Sequence, residues 1–263
     1  MPYYIAEIGS CHDHNAEATG ELIDELCDMG VDAIKLQYWS DSESFARQRN
    51  RLDLAKVYEQ WETRLSFVSD IAEYTTSVGL NFICSVFLPQ DCEVLQNKVD
   101  HFKIASIESH NMELIRAASV HSNGRALIVS TGCSQAEDFV YYNSLRNSAT
   151  LSCPILLLHC IAAYPTKIED LNLRVIQNYR LDGFSDHSGH VLAGAAAVLH
   201  GAKYLEFHVR HEKTPDDCPD YPHSLTAEQV RQYIQNCRDM LAMRGSFLRP
   251  ELEAESPYRG MRS

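Results

Sequence analysis

A chain of 263 residues, 45% of them hydrophobic, can bury a large core, which excludes a disordered polypeptide. Its 23 Lys and Arg against 36 Asp and Glu leave a formal charge of -13, a surface that repels phosphate backbones, so no nucleic-acid partner is expected. No apolar run reaches membrane-spanning length, and "MPYYIAEIGS" lacks the basic start and apolar stretch of a signal peptide. Nine cysteines without a C-x-x-C pair point to reduced thiols in a cytoplasm, with Cys84, Cys153 and Cys160 acting as small hydrophobes.

Strand and helix patterns alternate from the start. The run "YYIAEI" predicts a first strand. In "AEATGELIDELCDMG" Leu22, Leu26 and Met29 share one helical face, and Gly30 stops the helix. The strand "AIKLQ" follows, then one long helix over "LAKVYEQWETRLSFVSDIAEYTTSVG", closed by Gly79. Six further strands are predicted at "NFICSV", "HFKIAS", "ALIVST", "PILLLHC", "GFSDH" and "YLEFHV". Helical periodicity separates several of them, as in "NMELIRAASVHSNG" and "AGAAAVLHG", and closes the series in "TAEQVRQYIQNCRDMLAMR". Eight strands alternating with eight helices, at roughly 30 residues a unit, predict a (β/α)8 TIM barrel of the α/β class. It forms a single domain over residues 1–245, with 246–263 as a polar tail or the start of a linker. A doubly wound open sheet is the rival, but the first turn, "AEIGSCHD", carries no G-x-G-x-x-G fingerprint.

Strand side chains alternate faces. If Ile34 and Leu36 pack on helices, Lys35 and Gln37 point into the barrel. By the same rule Glu7, Lys103, Glu206 and His208 point inward, and Ser185 and His187 share a face. Barrel interiors are normally filled with Val, Ile and Leu, and unpaired buried charge costs several kcal/mol. Opposed charges placed there must meet each other, a metal or an ionic ligand. Two inward lysines with Ser85, Ser106 and Ser130 near strand ends suit a phosphorylated anion. His187 and His208, from adjacent strands, suit a divalent cation with open coordination positions.

These residues lie in motifs that resemble the sialic acid synthase family, which condenses phosphoenolpyruvate with an N-acetylated amino sugar to make nonulosonic acids. The similarity runs from about residue 3 to about 243. It rests on "IAEIG" with a nearby His12, "GVDAIKLQ", "FKIAS", "IVSTG", "LLHC", "YPT" followed by "EDLNLRVI", "FSDHS" and "LEFHV". The resemblance implies a phosphoenolpyruvate-binding set of Lys35, Ser85, Lys103, Ser106, Ser130 and Ser185. It implies a divalent metal on His187 and His208, usually manganese, with magnesium, cobalt and zinc as the other candidates. It sets Glu7, Gln37, Glu206, Tyr164 and Asp220 around the metal and the acceptor sugar, with Glu7 or Glu206 handling the proton of water. The partners it implies are these two small molecules, with no membrane; a homodimer is a further expectation, since the family's members form dimers that lean partly on the C-terminal domain.

The chain also departs from the family. After "HC", Ile161 and Ala162 stand where a Thr and a phosphate-contacting Asn are usual. "CHDH" replaces Asn-His-Asn-Gly near the first strand, and "KTPDDCPDYPHS" carries an apparent insertion before Asp220. The sequence ends, at "SPYRGMRS", about where the linker to the family's C-terminal antifreeze-like domain would begin. Three other readings stay open: a metal-dependent amidohydrolase using the H-x-H of His12 and His14, a related C–C synthase or lyase with another acceptor, and an inactive scaffold.

Overall fold

The computed structural model describes residues 1–246 and 251–261. Its strands are β1 (Tyr3–Glu7), β2 (Ala33–Tyr38), β3 (Asn81–Val86), β4 (His101–Ile104), β5 (Leu127–Ser130), β6 (Ile155–Cys160), β7 (Gly183–Asp186) and β8 (Tyr204–His208). Each runs parallel to the next, and β8 returns to pair with β1, closing the predicted (β/α)8 barrel. The register fixes what meets across the wall. Glu7 faces Lys35 on one side and His208 on the other, Ser85 faces Lys103, and Ser185 faces Glu206.

The outer ring holds α1 (Ala16–Met29), α2 (Ser42–Gln48), α3 (Ala55–Gln60), α4 (Leu65–Ser77) and α5 (Pro89–Leu95). It continues with α6 (Met112–His121), α7 (Asp138–Arg146), α8 (Arg174–Asn178), α9 (Ala193–Leu199) and α10 (Ala227–Arg244). Helix starts follow the side chains available to accept orphan N–H groups. Asn15 caps α1, Asp41 caps α2, Asn111 caps α6, and Thr226 with Gln229 forms a capping box on α10.

The long helix expected over residues 54–79 is two helices, α3 and α4, and the ring has ten helices among the described residues instead of eight. Residues 61–64 leave the helix because tertiary partners claim them. The Glu62 carboxylate accepts from the Ser42 N–H at 3.0 Å, and the Thr63 hydroxyl meets His12 Nε2 at 3.2 Å. The tail expected over 246–263 lies partly outside the described residues; Glu253–Met261 forms a 3-10 segment. No described helix is long and apolar enough to cross a membrane.

Two apolar layers flank the strands. Outward residues such as Ile34, Phe102, Phe184 and Phe207 are fully buried under the helices. Inward, Ile5, Ala33, Ile83, Ile128 and Leu158 meet as a floor across the barrel. Each large side chain there contributes about 1.5–3 kcal/mol of burial. Above that floor the apolar filling stops.

Candidate active site

One step above the floor, on the same faces, stand Glu7, Lys35, Ser85, Lys103, Ser130, Ser185 and Glu206, all nearly inaccessible to solvent. The alternation expected from sequence holds on every strand concerned. Lys35 Nζ contacts the Glu7 carboxylate and donates to Ser85 Oγ at 3.0 Å. Lys103 Nζ donates to Ser130 Oγ at 2.7 Å. Glu206 Oε1 lies 3.6 Å from Lys103 Nζ and 3.8 Å from Lys35 Nζ, and accepts the Ser185 hydroxyl at 2.8 Å. Two amines and two carboxylates thus form one buried network.

Burial pulls the Lys35 amine down to about 8; Glu206 opposes that shift and Lys103 adds to it. Burial alone would raise the Glu206 carboxyl. Lys103, Lys35 and the Ser185 hydroxyl outweigh it and hold the group at about 2. The serines that accept from the amines keep their own O–H free to donate, so the cluster can receive an oxyanion. Ser106, in a 3-10 turn after β4, accepts from the Gly132 N–H at 3.0 Å and lies 3.2 Å from Cys160 Sγ. Cys160 is therefore more than the small hydrophobe expected, and burial raises its thiol to about 11. Gln37 lies two residues beyond Lys35 on the same face of β2, half-buried.

The imidazoles come next along the strands. His187 Nδ1 is 2.7 Å from the Ile161 carbonyl, which can only accept, so Nδ1 carries the proton and Nε2 keeps its lone pair. The His187 and His208 rings lie 5.4 Å apart, centre to centre, and Tyr164, half-exposed, covers His187 at 4.3 Å. Burial lowers His187 to about 4 and His208 well below its usual value, so both are neutral and able to ligate.

Asp220 Oδ2 accepts from the Ser10 N–H at 2.7 Å and the Ser10 hydroxyl at 2.9 Å. Gly9 makes this approach feasible: its φ is +53°, and a Cβ there would collide with that carboxylate. Burial would raise the Asp220 carboxyl, but His223, His208 and the Ser10 N–H outweigh it and depress it strongly. His208 Nδ1 and Glu206 Oε2 are buried without a hydrogen-bond partner. Such orphaned atoms cost about 1–3 kcal/mol each, and a cation would offset that cost, so the donor set fits a divalent metal.

His12 and His14 do not join this cluster. His12 Nδ1 accepts the His14 N–H at 2.9 Å and its Nε2 meets Thr63, so both nitrogens are engaged and the H-x-H of the amidohydrolase reading has no ligand to offer from His12. Sequence reasoning missed His223. It lies in the loop after β8, where no strand period applies, yet its ring is 4.5 Å from that of His208. It also missed the aromatic group beside the mouth, where Trp39 stacks on Phe45 at 4.8 Å and Phe87 packs edge-on against both.

The NeuB family matches this chain over residues 22–248. The chain is 30% identical over 251 residues to an uncharacterized protein of Methanocaldococcus jannaschii, covering 93% of this chain and 72% of the other. It is 28% identical over 282 residues to the N,N'-diacetyllegionaminic acid synthase of Legionella pneumophila, covering 98% and 78%. The crystal structure of N-acetylneuraminic acid (sialic acid) synthetase from Leptospira borgpetersenii is similar with a TM-score of 0.82 at 25% identity, covering 99% of this chain and 91% of that one.

Proposed function

This chain belongs to the NeuB family, and from that premise we propose that it condenses phosphoenolpyruvate with an N-acetylated amino sugar to form a nonulosonic acid. It is a transferase that makes a carbon–carbon bond and releases phosphate. The observation that carries this reading is the pair of buried amines with free hydroxyls at the base of a barrel whose mouth holds imidazoles and a carboxylate.

Lys35 and Lys103 hold the phosphate, and the Ser85, Ser106 and Ser130 hydroxyls donate to its oxygens. Held in that position, the methylene carbon of phosphoenolpyruvate attacks the aldehyde carbon of the open-chain sugar. Water adds to the cationic carbon left at C2, and Glu7 or Glu206 takes its proton. The C2–O bond then breaks, leaving a ketone and inorganic phosphate. The lysines stabilise this charge in a site already dry, without reorganising solvent. Gln37, Tyr164 and Asp220 orient the sugar, and Ser185 fixes Glu206. A divalent cation, manganese foremost, held by His187 and His208, would supply Lewis acidity at the aldehyde oxygen. Barrel residues 1–245 form the synthase domain.

The test is phosphate release from phosphoenolpyruvate with Mn2+ and a panel of N-acetylated amino sugars. Release that needs both substrates is expected, and Lys103→Ala should lower kcat/KM about 10²–10³-fold. No release with any sugar, or release independent of sugar, would overturn the reading.

A further inference from the structure

The loop after β8 folds back over the mouth. Leu225 pairs with Val209, its N–H donating to the His208 carbonyl at 2.8 Å, while the Arg210 N–H donates to the Leu225 carbonyl at 2.9 Å. The Arg210 guanidinium reaches the Ser224 carbonyl and lies 4.4 Å over the Tyr221 ring. These contacts bring the short turn Tyr221–His223 against β8. The His223 ring stands nearer to His208 than His187 does, 4.5 Å against 5.4 Å.

His208, Asp220 and His223 each present one ligand atom, all within 4.8 Å of one another. The His223 side chain is 1% exposed, yet neither of its nitrogens has a hydrogen-bond partner, and His208 Nδ1 has none either. Asp220 Oδ1 lies 3.4 Å from His223 Nε2 and 3.9 Å from His208 Nδ1, while its Oδ2 is anchored by Ser10. An ion pair between Asp220 and His223 would account for one of the three orphaned nitrogens. A cation accounts for nitrogens on both rings, and Ser10 supplies the outer support that orients a ligating carboxylate.

We propose that His223 is a protein ligand of the cation, forming with His208 and Asp220 a two-imidazole, one-carboxylate set that holds the ion before either substrate arrives. The inference builds on the cation of the synthase reading: it keeps His208, adds His223 as a further ligand beside His187, and gives the Asp220 carboxylate to the ion as well as to the sugar. Two nitrogens and one carboxylate favour Mn2+, Fe2+, Co2+ or Zn2+ over Mg2+, which prefers oxygen ligands and keeps its waters.

Protein stripped with EDTA and titrated with MnCl2, without phosphoenolpyruvate or sugar, tests this through the EPR signal of free Mn2+. One ion per chain is expected, with His223→Ala and His223→Gln each raising Kd about 10-fold or more. A wild-type Kd in either folded variant overturns the proposal. Should both variants fail to fold, anomalous scattering from Zn2+-soaked crystals of the wild-type protein decides. An ion within about 2.0–2.3 Å of a His223 nitrogen supports the proposal, and one held by His187 and His208 alone overturns it. A chain that binds Mn2+ through His223 but releases no phosphate refutes the synthase reading alone. An active synthase whose His223→Gln variant binds Mn2+ like wild type refutes this inference alone.

Discussion

Lys35 keeps its charge where almost no water reaches it, and the cost appears as an amine lowered to about 8 by burial. Because the cationic form is the low-pH form, the phosphate capture proposed for Lys35 would persist below that value and be lost above it. A plot of kcat/KM for phosphoenolpyruvate against pH should therefore fall as pH rises through about 8, since this ratio reports the free enzyme. Lys35→Arg, which stays cationic, should move that fall to higher pH. A profile still flat well above that range would remove the Lys35 charge from substrate capture. Lys35, Lys103, Glu7 and Glu206 were legible in the sequence because a strand has a strict period of two. Once Ile34, Leu36, Phe102 and Ile104 are given to the helices, the charged neighbours have only the interior left. His223 was not legible, because Leu225 pairing back on Val209 is a long-range event that no local period encodes.

Among the elements, α9 and α10 pack so closely that Gly194 faces the Tyr233 ring, and a Cβ at residue 194 would collide with it. Tyr233 cannot retreat, because its ring also rests 4.7 Å from Phe207 on the outer face of β8. Gly194→Ala should cost about 1–3 kcal/mol in urea unfolding, while the folded fraction keeps wild-type kinetic constants. A variant as stable as wild type would mean the helices do not meet at this distance. All eight strands were legible from short apolar runs. The break between α3 and α4 was not: Val57, Trp61, Leu65 and Val68 continue a helical spacing straight through it. What interrupts the helix is Glu62 answering Ser42 and Thr63 answering His12, partners 20 and 51 residues away.

For the whole molecule, alternating units predicted the barrel, and inward charge predicted that its upper half is a site. The loop that completes the mouth and the packing of its aromatic side were decided by tertiary contacts alone. The floor of Ile5, Ala33, Ile83, Ile128 and Leu158 seals the end of the barrel opposite the imidazoles. The amines sit directly above that seal, and the imidazoles lie nearer the opening. A vessel with one door works last in, first out. The phosphate-bearing substrate must settle before the sugar arrives, and the free phosphate must wait until the acid has gone. Inorganic phosphate should then inhibit competitively against phosphoenolpyruvate and not against the sugar; competition with both would mean a second way in.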